Sequence, residues 1–345
     1  MQFKRIKELK PGMRLARPIY NKNGVLLYER DSKLSPQGIA SIQNFGLIGL
    51  FILEPAEPVP PMSEADIEFE RFQSVNVFSL QDELERIATT GRAAKLQMIV
   101  SNIIRAYGHL EHKVNFIQNL RSEEDFAYKH ALNVGILCAM LSKQMNLRVE
   151  ERLDVVTAAL LCNFEDYEVI DKVCSANPNV RRYCAQADKI IEASLTEELD
   201  KNMKIMTPSR VLAVARVYDN MTAMSLDGVP ESEVATIRYL MDKEKYFSKE
   251  VVEALIHSVN ILVPGICVEL NTGEKALVLT ENTSDMFRPM VLGFDGNDII
   301  DLGNRNVYGD LEIKDVMKTL DNRYVIDTEM LSKFGMDTNN NEGVE

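Results

Sequence analysis

Most of the signatures by which catalytic chains announce themselves are missing from these 345 residues. There is no Walker A pattern, no Gly-x-Gly-x-x-Gly fingerprint, no zinc-ribbon spacing and no nucleophile elbow. Histidine is scarce, confined to His109, His112, His130 and His257. The five cysteines (Cys138, Cys162, Cys174, Cys184, Cys267) form no Cys-x-x-Cys pair and leave an odd one over, which fits reduced thiols in a cytoplasm better than a disulfide framework. No uninterrupted apolar run approaches the ~20 residues that cross a bilayer. The opening "MQFKRIKELKPGM" is basic but has no apolar stretch behind it, so it does not read as a secretory signal.

Positive charge is also in deficit. A net charge of −13 argues against nucleic acid or an anionic membrane as the main partner, because phosphate binding needs a basic footprint. The deficit is uneven. Residues 1–53 hold nine Lys/Arg against three Asp/Glu, a balance of +6 that leaves −19 for the remainder of a −13 chain. Either the N-terminal unit docks on an acidic surface, its own or another protein's, or two independently solvated surfaces coexist.

What is present divides into units. In residues 1–53, "MRLARPIY" and "GVLLYER" alternate as half-buried strands do, with a turn from Asn21 to Gly24 between them. A short helix follows, with Ser35 as N-cap, Pro36 in the first turn and Gly46 closing it, and then a buried strand, "LIGLFIL". This predicts a small α+β module. "EPAEPVPPM", residues 54–62, has four prolines in nine residues and reads as a semi-rigid linker.

Residues 63–263 are helical in pattern almost throughout. Ser63 and Ser79 each stand three residues before an acid and read as N-caps. His130, Val134, Leu137 and Leu141 share one helical face, as do Leu153, Val156, Leu160 and Asn163. Thr207-Pro208 opens "SRVLAVARVYDNMTAM", apolar nearly all round and therefore central. From 264 to 327 the period changes to two. Hairpin turns at Asn271-Thr272-Gly273 and Asp295-Gly296-Asn297 predict a β meander of three or four strands, and 328–345 is a polar tail.

A few residues carry candidate chemistry. His109 and His112, three apart, read as a solvated pair on one helical face, and His130 as a core histidine. Cys162 stands at a helix C-terminus beside Glu165 and Asp166, an environment that disfavours a thiolate. Arg216 interrupts the central apolar helix and needs an anionic partner, for which Asp219 at i+3 is the nearest candidate.

The segments "YKHALNVGILCAMLSKQMNL", "ERLDVVTAALLCNFED", "VARVYDNMTAM" and "VVEALIHSVNILVPGICVELNTGE", in this order, resemble the helices and trailing hairpin of the HD-GYP family. That family is a helical branch of the HD-domain metal-dependent phosphohydrolases, many of which cleave cyclic di-GMP. "IKELKPGMRLARPIYNKNGVLL" resembles a small module often found ahead of such domains. The resemblance covers roughly residues 1–55 and 124–325. It implies a mainly α fold: an HD-like helical bundle with a small N-terminal α+β module and a C-terminal β-hairpin or meander.

The departures from the family's pattern bear on function. The first metal-binding histidine of the family matches His130, but its His-Asp pair falls on Cys162 and Asn163. Where a glycine and a phosphate-contacting lysine follow in the family, Glu165 and Asp166 follow here. The later histidines and the Gly-Tyr-Pro loop have no counterpart, and the metal-binding aspartate of the "VADVYD"-like helix is Arg216, with Asp219 retained. Holding a catalytic cation takes about three protein ligands, mostly imidazole or carboxylate. The matched positions supply one imidazole, an amide, a thiol and a guanidinium.

The resemblance therefore implies a vestigial pocket (His130, Cys162, Asn163, Asp166, Arg216, Asp219) with no metal, no cofactor and no catalytic residue. The expected role is a non-catalytic regulatory or scaffolding module in bacterial signalling, working through a protein partner or self-association. Two alternatives stand beside it. One is a sensor that holds cyclic di-GMP or another nucleotide without cutting it, with Arg181, Arg182 and Arg216 available to phosphates. The other is a phosphodiesterase with a rearranged site.

Overall fold

The computed structural model of the protein describes residues 2–21, 23–43, 49–53, 63–164, 167–175, 177–198, 204–225 and 230–316. The linker 54–62, Gly46, Glu165, Asp166 and the polar tail lie outside these residues.

The N-terminal module pairs strands β1 (Gln2–Arg5), β2 (Arg14–Leu15), β3 (Ile19–Tyr20) and β4 (Leu26–Tyr28) with helix α1 (Pro36–Gln43) and strand β5 (Gly49–Leu53). β5 is central in the antiparallel order β1-β5-β2, and β3-β4 is a separate hairpin. Asn21 builds that hairpin's turn, its side-chain oxygen accepting from the N–H groups of Asn23 and Val25 at 2.9 and 3.0 Å. Ser35 caps α1 by accepting from the Gly38 N–H at 2.9 Å. Leu15, Ile19, Leu34, Ile42, Leu50 and Ile52 form a small core of the module's own. Strand β1, with no alternation to mark it, is found only through its register on β5, Phe3 opposite Phe51.

The rest is mainly helical: α2 (Glu64–Thr90), α3 (Leu96–Tyr107), the two-residue strand β6 (Leu120–Arg121), α4 (Phe126–Gln144), α5 (Val149–Leu161), α6 (Tyr167–Val173), α7 (Pro178–Thr196), α8 (Thr207–Thr222), strand β7 (Met224–Ser225), α9 (Glu233–Asp242), α10 (Glu244–Phe247) and α11 (Lys249–Ile256). Ser63 caps α2 in a reciprocal box with Asp66. Ser79 caps nothing. α2 runs unbroken past it because Phe69, Gln73, Val77, Leu80, Leu84 and Ile87 keep one buried stripe from end to end. The carboxylate of buried Glu83 caps α3 instead, accepting from the N–H groups of Lys95 and Leu96 at 2.7 and 3.1 Å. His109 and His112 lie in the turn and loop after α3, both exposed, so no helical face presents them.

α4 is the axis of the fold, buried from His130 to Ser142. Gly135 lets α5 close on it, since a Cβ there would stand 3.1 Å from Leu160 and 3.4 Å from Ile103. α8 packs against both α4 and α7 and is buried nearly all round, as its composition predicts. Its N-terminus is fixed by Gln186 of α7, whose Oε1 accepts from the Met206 N–H at 3.0 Å and the Ser209 hydroxyl at 2.8 Å.

Strands β8 (Cys267–Leu270), β9 (Lys275–Thr280), β10 (Met290–Gly293) and β11 (Ile299–Asp301), the short helix α12 (Arg305–Tyr308) and strand β12 (Ile313–Val316) complete the chain. The sheet has five strands in the order β11-β10-β9-β8-β12, not the three or four that the turns imply. The additional strand, "IKDV", returns after α12 to the free edge of β8. Val268, Leu270, Val278, Val291 and Ile313 of this sheet belong to the same core as the helices, so the C-terminal strands share the helical body.

Candidate functional site

Two charged centres flank α8, and five of the six residues of the expected pocket belong to one or the other. The first is buried. Asp219 sits in the last turns of α8 with no exposure, and Arg121, equally buried, donates to its Oδ1 at 2.6 Å. His130 of α4 meets its Oδ2 through Nδ1, also at 2.6 Å. Arg121 reaches this position because β6 pairs in parallel with β7 just beyond α8, Arg121 opposite Ser225. Burial alone would raise the Asp219 carboxyl. Arg121 and then His130 outweigh it and hold the group well below the ordinary carboxylate range.

Amide side chains complete this centre. Gln118 donates to Asp219 Oδ1 at 3.2 Å and to the Thr222 hydroxyl at 2.8 Å, and accepts from Arg121 at 2.9 Å. Asn133 donates to Asp219 Oδ1 at 3.0 Å and accepts from Gln73 of α2 at 2.9 Å. Two segments, residues 118–121 and α4, thus converge on one carboxylate, with α2 behind them through Gln73. One residue stays incomplete: the Nε and Nη1 atoms of Arg121 are buried without a hydrogen-bond partner among the described residues. The guanidinium lies instead over the ring of Phe126, 5.1 Å from its centroid, and the same ring stacks on His130 at 6.0 Å.

The second centre opens to solvent through a cleft of about 540 Å³ lined by Phe126, Ala127, Cys162, Asn163, Phe164, Tyr167, Asp188 and Arg216. Arg216 points here, away from Asp219. Its Nη1 donates to Asp188 Oδ1 of α7 at 2.5 Å, and the Tyr167 hydroxyl donates to the other oxygen of the same carboxylate. The Arg216–Asp219 pair expected from the i, i+3 spacing is therefore not formed. α8 buries Asp219 against α4 and turns Arg216 toward α7, and each finds its counter-charge on a different neighbour. The pair is also less buried than a central helix suggests, with Arg216 16% and Asp188 42% exposed.

Cys162 forms the C-cap of α5 and a wall of the cleft, its thiol donating to the Ala159 carbonyl at 3.1 Å. Burial pushes this thiol up to about 11, against the pull of Arg216. Asn163 turns its amide to the Ala127 carbonyl at 2.8 Å, tying the end of α5 to the start of α4. Arg181 pairs with Asp171 at 3.0 Å and lies 5.8 Å from the Tyr167 ring centroid, on the exposed flank of α7, where Arg182 is exposed as well. Asp166 of the expected pocket lies outside the described residues.

The structure thus brings His130 and Asp219 together and brings Cys162, Asn163 and Arg216 together, and Phe126, whose ring lies on Arg121 and His130, also lines the cleft. Gln118, Arg121 and Asp188 are the members that sequence reasoning missed. Asp188 had a faint signal, flanking the apolar stripe that α7 buries at Cys184 and Ala187. Arg121, in the polar run "QNLRSEED", had none.

Among the described residues, the donor set around Asp219 does not suit a divalent cation. Both oxygens of Asp219 are taken, one by a guanidinium, and among the described residues no three His, Cys, Asp or Glu side chains converge as ligands. No helix among the described residues is long and apolar enough to cross a membrane. No family model, curated protein or solved structure matches this chain.

Proposed function

We propose that the chain is a catalytically degenerate HD-GYP-like protein that works as a non-catalytic regulatory or scaffolding module in bacterial signalling, through a protein partner or self-association. The observation that carries this reading is the engagement of Asp219. The carboxylate retained in this pocket accepts from Arg121 and His130 on its two oxygens, inside a network of amides, and the position that the resemblance gives to a metal-binding aspartate is the cation Arg216. A guanidinium cannot be deprotonated in a protein, so it fills the role of a counter-ion permanently and generates no nucleophile. The resemblance of the helical segments to HD-GYP sequences supplies the context, and the fold leaves the cleft as a surface feature beside a sealed polar core.

Hydrolysis of cyclic di-GMP by the purified chain, assayed with and without added manganese, iron or magnesium and paired with elemental analysis, tests the reading. No turnover under any metal, with an intact circular dichroism spectrum, is the expected result. Metal-dependent turnover abolished by His130→Ala would overturn it and restore the rearranged hydrolase.

A further inference from the structure

The N-terminal module does not simply lie beside the helical body. Gly24, at φ +74°, brings the turn of the β3-β4 hairpin against α2 so closely that a Cβ there would stand 2.7 Å from Val75. Arg17, between β2 and β3, reaches further in. It lies 4.5 Å from the Phe51 ring centroid, pairs with Glu70 of α2 at 3.4 Å, and donates through Nη1 to the backbone carbonyl of Gln118 at 2.9 Å.

Gln118 is thereby held from both sides. Its carbonyl is fixed by the module, while its side chain accepts from Arg121 and donates to Asp219 and Thr222. Arg121, three residues on, is held in turn against Phe126. Phe126 stands at the first position of α4, half-buried, with its ring both on Arg121 and in the wall of the cleft. The guanidinium under that ring has its Nε and Nη1 atoms buried, carrying three N–H donors with no acceptor among the described residues. Leaving buried donors unpaired is costly, and an arrangement that keeps them so is explained if the cover opens.

We propose that Phe126 is a gate between the cleft and the Asp219 centre, held shut by the N-terminal module through Arg17. When the module is released, Gln118 loses its backbone anchor, Arg121 loses a fixed acceptor, and the Phe126 ring swings from the guanidinium. The cleft then gains the unpaired donors of Arg121, a position for an anionic group that the closed state hides. Movement of the module becomes a change in what the cleft presents. This holds whether or not the cleft turns over any substrate, because it rests on the contacts of Arg17, Gln118, Arg121 and Phe126 alone.

The chain contains no tryptophan, so Phe126→Trp installs a single reporter whose indole can keep the cation–π contact. In that background Arg17→Ala is expected to red-shift the emission and raise acrylamide quenching roughly twofold or more, as local opening exposes the ring. Iodide should gain more than neutral acrylamide, because the uncovered guanidinium attracts an anion. Arg14→Ala, which removes the exposed Arg14–Asp31 pair of the same module, should leave both quenchers unchanged. Equal quenching in Arg17→Ala and its parent overturns the proposal, and so does an equal rise in Arg14→Ala. If Arg17→Ala does not fold, Arg17→Lys keeps the charge opposite Glu70 without the forked reach to Gln118, and carries the same expectation and the same overturning result.

Discussion

Arg216 and Asp219 stand three residues apart on one helix, and each is half of an ion pair, yet the two pairs obey different electrostatics. The Arg121–Asp219 pair has no exposed side-chain surface and is embedded in amides from three segments. The Arg216–Asp188 pair lies at the wall of an open cleft, its carboxylate nearly half exposed. In the first, removing one ion strands the other in a medium that cannot solvate it. In the second, water replaces the lost partner. Proximity in sequence therefore says little about worth. The depth to which α4 and α7 bury each side of α8 decides it.

The largest effect expected from this contrast is at Arg121. Arg121→Ala leaves Asp219 and its amides buried without their cation and is expected to cost about 3–5 kcal/mol, read as a fall in the urea midpoint. Combining Arg121→Met with Asp219→Leu should recover part of that loss, since the pair is removed whole. A cost below about 1 kcal/mol for Arg121→Ala would mean that water enters this centre and that the two pairs do not differ.

Acid should separate the pairs next. Asp219 is held ionised in the folded chain well below its unfolded value of about 3.9, so its contribution is present above that value and declines as pH falls through it. The stability difference between the parent chain and Asp219→Asn is expected to shrink by about 1.4 kcal/mol per pH unit below about pH 4. A difference that stays constant from about pH 5 to about pH 3 would show that Asp219 is not held by Arg121 and His130 in this way.

At the cleft the same operation should be mild. Arg216→Ala is expected to cost no more than about 1 kcal/mol, and the cost should fall with added salt because the pair is reached by counter-ions. Arg216→Met should be nearly neutral, since the aliphatic stem packs as before and a buried Nε with no partner among the described residues is removed. A loss as large as that of Arg121→Ala would place both pairs in one class.

Much of the scaffold for this contrast was legible in the residues. The near-continuous apolar character of "VLAVARVYD" marks α8 as central, His130 falls on the buried stripe of α4, and Asn271-Thr272-Gly273 turns between β8 and β9. Those features are local, set by periodicity or by the φ that a turn demands. What escaped was non-local. Arg121 is brought to Asp219 by two residues of parallel pairing across about a hundred positions, which no periodicity announces. Asp188 is brought to Arg216 by the packing of α7 on α8, so the i, i+3 rule pointed to a partner that the helix turns away. Ser79 shows the same limit at short range, where a capping pattern is overridden by the buried stripe of a longer helix.

The smallest effect expected lies at Cys162, and it asks whether the cleft arginine acts on its surroundings as the buried one does. Arg121 prevails over burial at Asp219; Arg216 does not prevail over burial at Cys162, whose thiol rises to about 11. The reason is geometric. Arg121 bonds Asp219 directly, whereas Arg216 spends its contact on Asp188, whose opposite charge cancels much of the field at the sulfur. Modification by a small thiol reagent, in the native chain, should therefore climb about tenfold per pH unit through about pH 10 without levelling, because only the thiolate reacts. Asp188→Asn should free the Arg216 charge and shift that curve to lower pH. A plateau near the ordinary cysteine value of about 8.5 in the parent chain would instead mean that Cys162 is solvated, and that the cleft reaches deeper between α5 and α8 than the Ala159 contact allows.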